Sequence, residues 1–351
     1  MIVSTTLTGS NENIIGDAIR SVVDHVDRCL VIDTGATDRS IDVAREVAGD
    51  KLVVREFTWV DDFAAARNFA LDCALEMGGV WAITVDTDER MQFSRGTDLR
   101  ALLAASDVDV LNVEYFDGLY SKERIFRLPR YVRWDGPIHE GVLDMKVDRR
   151  SVLREVRFFE LAKSAEQMQS KFERDLKILL KHTQKNPTVA RWFYYLGATY
   201  ESLGRHKEAI RAYEKCSRLP GWAEEAAFAS FRAANCWCVL QDWRAAVKAC
   251  VEGLAHRPAT AELAWLAGWA CYQAGRHEDA IAWSHMAIAN GRYAGSSADD
   301  GRVGFRELRG LFEGPYDVLR FAYRAIGDIA AAERAEGDFQ VALEARSSAG
   351  R

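Results

Sequence analysis

Read for the spacing of its apolar positions, the chain falls into two halves. The first alternates short apolar runs with amphipathic stretches. "IVSTTLT", "RCLVID", "KLVVREF" and "VWAITVD" read as strands. Between them, "NENIIGDAIRSVVDHV" sets Ile14, Ile15, Ile19, Val22 and Val23 at helical spacing, and "TDRSIDVAREVA" and "DDFAAARNFALDCALEM" read as two further helices. Strand and helix in this rhythm predict parallel strands joined by right-handed crossovers, hence an α/β, Rossmann-like doubly wound sheet. From about Val108 the rhythm changes. "VDVLNVEYF", "ERIFRLP", "YVRW" and "IHEGVLDMKV" are strand-like with short connections, and predict mixed or antiparallel strands added to one edge.

The second half, from about Ala162, is helical and repetitive. "LGRHKEAIRAYEKCSRLP", "LQDWRAAVKACVEGLAHRP" and "AGRHEDAIAWSHMAIANG" each give a turn and then a helix with a small residue at one offset: Ala209, Ala246 and Ala280, 37 and 34 residues apart. "IGDIAAAERA" repeats the signature with Ala332. Aromatic-rich helices such as "WFYYLGATYESLG" and "ELAWLAGWACYQAG" precede the turns. A small residue in the second helix of a pair lets the two approach closely. This is the logic of an all-α tetratricopeptide-repeat solenoid. The expected division is therefore residues 1–160 and 161–351. "NGRYAGSSADDGRVGFRELRG" predicts a surface loop between the third and fourth repeats. Seven of the ten Trp lie in this half and read as packing between helix pairs, although Trp265 and Trp269 share a face that could line a groove.

Composition narrows the class. The 351 residues are 48% hydrophobic and 28% charged, with a net charge of -6, which speaks against non-specific nucleic-acid binding. No apolar run is long enough to span a bilayer, and "MIVSTTLT" begins a strand without a secretory core. Seven scattered Cys suit reduced thiols better than a disulfide framework, and Cys236 and Cys238 read as core. Together these features lead us to expect a cytoplasmic protein with no membrane span and no nucleic-acid partner.

The chemistry gathers at strand ends. "VIDTGATDRS" closes the second strand on Asp33, where open α/β sheets bind ligands. Asp38, five residues on, caps backbone N–H groups near a helix start. "VDTDER" closes the fourth strand, so Asp86 and Asp88 face the same edge. An Asp-x-Asp triplet is weak by itself, and Asp107–Asp109 forms another in an ordinary loop position. At a strand's carboxyl end, such a pair can share Mg²⁺ or Mn²⁺ with substrate phosphates. Asp33 would then read a base or ribose, and a nucleoside diphosphate fits the set. Arg67 shares a helix face with Phe63, Ala70 and Ala74. It either extends to solvent or reaches a phosphate.

Taken in order, "VIDTGATDRS", "DDFAAARNFAL", "VDTDE", "RIFRLP" and "GPIHEGV", followed by the repeats, resemble the family 2 glycosyltransferases of GT-A fold. More specifically, they resemble the bacterial branch with C-terminal repeats, which includes peptide S-glycosyltransferases. The resemblance covers nearly the whole chain. It implies a nucleotide-sugar donor, metal-dependent inverting transfer, and no covalent sugar–enzyme intermediate. On that basis Thr8 and Asp33 contact the nucleobase or ribose, Asp86 reaches ribose or a metal-bound water, and Asp88 holds the metal. Many relatives carry an aromatic before the Asn of the first loop. Ser10 precedes Asn11 here, so stacking from that side is not expected.

Inverting transfer needs a cation for the leaving diphosphate and a base for the acceptor. In "GPIHEGV", His139 could ligate the metal or the diphosphate, and Glu140 could be the base. Both can act only if the segment is a turn or bulge, because neighbours on a strand point to opposite faces. Otherwise they form a structural pair on an edge strand. Glu89 and Asp61 are weaker base candidates. The expected enzyme moves a sugar from a nucleotide-sugar donor, a UDP-sugar foremost, to a protein or peptide acceptor bound partly by the repeats. A lipid-linked or surface polysaccharide acceptor is one alternative. An inactive repeat scaffold with a degenerate sugar-nucleotide domain is another.

Overall fold

The computed structural model describes residues 1–129, 132–144, 149–294, 305 and 308–349. The chain divides into two compact units, Met1–Met168 and Gln169–Arg351.

The first unit opens with strand β1 (Ile2–Thr8), helix α1 (Ile15–Arg20), β2 (Arg28–Asp33), α2 (Ser40–Ala48), β3 (Leu52–Glu56), α3 (Phe63–Glu76) and β4 (Trp81–Thr84). It continues through β5 (Glu89–Phe93), α4 (Leu99–Ala105), β6 (Val110–Tyr115), β7 (Ser121–Arg127), β8 (Val132–Asp135), β9 (Gly141–Asp144) and β10 (Arg150–Glu160). One eight-stranded sheet runs in the order β3-β2-β1-β4-β7-β6-β10-β5, and β8 pairs with β9 apart from it. β1 to β4 are mutually parallel, whereas β7 is antiparallel to β4. The expected α/β sheet with mixed strands at one edge is therefore present. β8 and β9 leave the main sheet, and β5 and β10 join it without having been foreseen.

The sheet's two faces fill separate cores, because successive side chains on a strand point opposite ways. Ile2, Cys29, Val31, Trp81 and Ile83 pack with Ile15, Ile19, Ala44 and Leu103 from α1, α2 and α4. Val3, Leu30, Ile32 and Ala82 pack with Ala70, Leu71 and Ala74 of α3 and with Trp134 of β8. Burial on both faces explains why these strands read as continuous apolar runs.

The second unit includes most of α5 (Ala165–Lys185). Then come α6 (Ala190–Ser202), α7 (His206–Arg218), α8 (Ala223–Val239), α9 (Trp243–His256), α10 (Ala261–Gln273) and α11 (His277–Ala294). α12 (Leu308–Leu311), α13 (Gly314–Ala325) and α14 (Ile329–Ala349) complete it. Ala209, Ala246, Ala280 and Ala332 are all fully buried, as their shared offset requires. In the first pair a Cβ on Gly197 would stand 2.6 Å from the Tyr213 ring, so only glycine allows α6 and α7 this close. Most of the expected surface loop lies outside the described residues. Trp269, Tyr272, Gln273 and Phe321 line a shallow groove, while Trp265 packs against Gly310 and Gly314. The seven Cys are all buried and unbonded. Among the described residues, no helix is long and apolar enough to cross a membrane.

Candidate active site

The parallel strands bring their carboxyl ends to one edge of the sheet. Thr8 ends β1 and lies in register with Asp33, which ends β2. β4 runs into the turn Asp86-Thr87-Asp88-Glu89. The Glu89 N–H donates to the Asp86 carbonyl at 2.9 Å, and the Asp86 N–H donates to Glu89 Oε2 at 3.2 Å. Arg90 fastens the turn from outside, donating to the carbonyls of Thr87 and Ile14, each at 2.9 Å.

α3 begins at the same edge, capped by Asp62, whose carboxylate accepts from the Ala65 N–H at 2.8 Å. The first turns of α3 carry Arg67 inward. Its Nη1 and Nη2 donate to the two oxygens of Asp86 at 2.8 and 3.1 Å, and its Nε donates to Glu140 Oε1 at 2.6 Å. The guanidinium also stands 5.1 Å from the centre of the Trp134 ring. "GPIHE" leaves the strand after β8 and bends back into β9. The turn that Glu140 required is therefore present.

From the other side, β7 runs antiparallel and places Lys122 and Arg124 on one face. Arg124 donates to Glu89 at 3.0 and 2.5 Å and to Asp86 at 3.2 Å. Lys122 donates to Glu89 at 3.2 Å and also pairs with Glu160. Burial disfavours a charged Asp86, but Arg67 and Arg124 outweigh it and hold its carboxyl well below the usual range. Burial likewise opposes charge on Arg67, and Asp86 and Glu140 overcome it, so the guanidinium is a permanent cation.

This network corrects several expectations. Arg67 reaches neither solvent nor an open phosphate site. It joins Asp86 to Glu140. Asp86 has both oxygens engaged by arginines and is ill suited to a metal. Among the described residues, no three His, Cys, Asp or Glu side chains converge as a possible metal site, so Asp86, Asp88 and His139 are not brought together. His139 is exposed, with a left-handed φ of 48°. Glu89 is fully buried among Arg124, Lys122 and the turn, which makes it a structural anchor and not a base. Asp61, with φ of 61°, accepts from the Trp59 indole at 3.2 Å.

Asp88 is different. Its carboxylate is partly exposed and paired with Lys163. One hard carboxylate plus substrate phosphates is a common way to hold Mg²⁺ or Mn²⁺, so Asp88 fits such an ion. Asp33 keeps its place at the strand end, with Oδ1 accepting from Gly35 and Ala36 N–H at 2.9 and 2.7 Å. Gly35 in this Asx turn has a φ of 112°, a conformation that favours glycine. Thr8 is buried, and its hydroxyl donates to the Gly9 carbonyl at 2.9 Å. The hydroxyl is engaged with the loop that follows β1 and also accepts from the Asn11 amide at 3.4 Å. Asp38 accepts from the Ser40 N–H at 2.9 Å, in keeping with a helix-start role.

Comparison with known proteins agrees with this architecture. Residues 2–157, most of the first unit, match the family model described as Glycosyl transferase family 2. A TPR repeat-containing protein of Synechococcus elongatus is 39% identical over 132 residues, covering 36% of this chain and 31% of its own. The SPbeta prophage-derived glycosyltransferase SunS of Bacillus subtilis is 23% identical over 214 residues, covering 57% of this chain and 49% of its own. The chain thus spans half or less of the length of these curated relatives. A crystal structure of MamA is 18% identical, covers 54% of this chain and 99% of its own, and has a TM-score of 0.40, too low to carry an argument.

Proposed function

We propose that the protein transfers a sugar from a nucleoside-diphosphate sugar, a UDP-sugar in the first instance, to a side chain of a protein or peptide, with inversion at the sugar carbon. The observation that carries this reading is the Asp86–Arg67–Glu140 bridge at the carboxyl edge of the parallel strands. It fixes the direction of one carboxylate, Glu140, on a loop beside the edge where a donor would lie. A base for inverting transfer must be held in line with the reacting carbon, and Arg67 supplies that positioning. Asp33, at the end of β2, is assigned to the base or ribose. Asp88 is assigned to a divalent cation, which when bound would neutralise charge on the departing diphosphate. His139, on the Glu140 loop, is assigned a contact with substrate.

A helical repeat suits an extended polypeptide acceptor better than a small alcohol. A relative titled a glycosyltransferase, matched over more than half of this chain, supports the transfer chemistry. The test is to offer nucleotide sugars singly with Mn²⁺ and read release of the nucleoside diphosphate, then to repeat the productive case with Glu140→Gln. Single-turnover rate should fall by roughly 10² to 10⁴, the range for loss of a general base, while donor affinity holds. Normal turnover in that variant would remove Glu140 from the mechanism. Failure of every nucleotide sugar, together with no UDP binding, would return the chain to the class of inactive scaffolds.

A further inference from the structure

Lys163 lies just past the end of β10, in a segment fastened to the Asp86–Glu89 turn at two points. The Leu161 N–H donates to the Asp88 carbonyl at 2.8 Å, and the Lys163 ammonium pairs with Asp88 Oδ2. The side chains of Lys163 and Asp88 remain 35% and 25% exposed, so their contact opens to solvent. Three further cations described at this edge are committed to its carboxylates, and Arg90 to the carbonyls of Thr87, Glu89 and Ile14. Arg67 holds Asp86 and Glu140, Arg124 holds Glu89 and Asp86, and Lys122 holds Glu89 and Glu160.

A diphosphate brought to this turn meets the negative charge of Asp88. An ammonium has three donors and no acceptor, so one lysine can hold a carboxylate oxygen and a phosphate oxygen at once. We propose that Lys163 is a built-in cation of the diphosphate site, resting on Asp88 and bridging Asp88 to the diphosphate when a nucleotide binds. The inference rests on the nucleotide-sugar reading above. It explains why the segment carrying this charged side chain is fastened to the strand-end turn by the Leu161 backbone as well as by the lysine head group. A divalent cation at Asp88 would compete for the same oxygen and do the same electrostatic work. Lys163 is therefore most needed when metal is absent.

That competition gives a signature which a merely structural ion pair lacks. UDP binding to the full chain is measured by calorimetry in EDTA and in saturating Mn²⁺, for the wild type, Lys163→Gln and Lys163→Arg. The wild type should bind UDP in both conditions. Lys163→Gln should lose about ten-fold or more in EDTA, as expected for one charge-assisted contact, and less than about three-fold in Mn²⁺. Lys163→Arg, which keeps the charge, should stay near the wild type in both. The pair is solvent-facing and contributes little to stability, so the variants should fold. Equal loss in both conditions, no loss in EDTA, or a wild type that binds UDP only with Mn²⁺ would each overturn the role of Lys163. A wild type that binds UDP in neither condition would instead overturn the nucleotide-sugar reading itself.

Discussion

In the first unit mostly buried charges from segments far apart in sequence converge on one strand end, whereas in the second they link helices close along the chain. Arg67, Arg124 and Lys122 meet Asp86, Glu89, Glu140 and Glu160, drawn from α3, the turn after β4, β7, the β8–β9 loop and β10. In the repeats, Arg257 pairs with Glu224 at 2.9 Å, and Arg232 pairs with Glu201, which also accepts from the Tyr213 hydroxyl. Each such contact ties one helix to its neighbour, which suits a structure whose stability sums over adjacent repeats. The converged cluster ties together segments far apart in sequence, and taking that many charges out of water is expensive. Such a cluster is a poor source of stability and a good way to fix geometry. The difference marks the strand end as the place where position matters.

The largest expected effect comes from breaking that cluster. Arg124→Leu would leave the fully buried Glu89 and the Asp86 carboxylate short of a partner. Removing one member of a buried ion pair costs about 3–5 kcal/mol. Arg232→Leu in the repeats would leave the more exposed Glu201 with Tyr213, at a cost of about 1 kcal/mol, near the top of the range for exposed pairs. The units need not unfold together, so hydrogen exchange followed peptide by peptide in urea is the proper readout. Equal losses in the two units would break the comparison.

Much of this arrangement was legible in the sequence. β1, β2 and β4 stood out because strands buried on both faces read as unbroken apolar runs, and their ends pointed to Asp33, Asp86 and Asp88. The repeats stood out because one small residue recurs at one offset. β10 was hidden for a physical reason. Its pairing with β6 shifts register between Leu153 and Arg157, and that irregularity destroys the alternation by which a strand is recognised. With β10 missed, Lys163 had no strand end to stand beside. Arg124 was hidden by its neighbours, since "KERIFR" reads as a charged edge. A signal was available in it. Lys122 and Arg124 alternate at the start of a strand antiparallel to the acid-bearing one, which puts two cations on one face near two acids. Thr8 was legible only as a position, because its place at the edge says nothing of where its hydroxyl turns.

The comparison sharpens with pH, because burial and ion pairing shift titrations in opposite directions. The carboxyl of Asp86 is lowered in the folded state. Its stabilising share is therefore present above the unfolded carboxylate range, near 3.8, and is lost as pH falls through the lower folded value. Cys216, Cys236 and Cys238 are pushed by burial up to about 12 from 9.0. Their share is complete below pH 9 and disappears as pH rises toward 12. Acid should thus loosen the first unit before the second, and alkali should loosen the second unit most steeply. Exchange rates at pH 3 and at pH 10 would show it, and Asp86→Asn should flatten the acid slope. An acid slope unchanged in that variant would mean that other carboxylates carry it.

The smallest expected effect tests whether the repeats really follow one pattern. The turns between paired helices place Gly204, Gly275 and Gly327 at φ of 69°, 72° and 84°, and the second repeat places Gln241 at 60°. A residue with a Cβ loses about 1–2 kcal/mol in this left-handed conformation. Glycine avoids that penalty but gives up about 0.5–1 kcal/mol through the greater freedom of its unfolded chain. Gln241 is exposed, and its N–H donates to the Cys238 carbonyl at 3.0 Å, a bond that glycine keeps. Gln241→Gly should therefore stabilise the second unit by about 0.5–1 kcal/mol, the difference between those two terms. For a unit of this size that raises the melting temperature by roughly 1–4 °C. Calorimetry resolves such a shift, and exchange should slow in α8 and α9 before it slows elsewhere. A lowered melting temperature would show that the glutamine side chain makes up for its strained backbone, and that the second repeat departs from its neighbours in more than one turn residue.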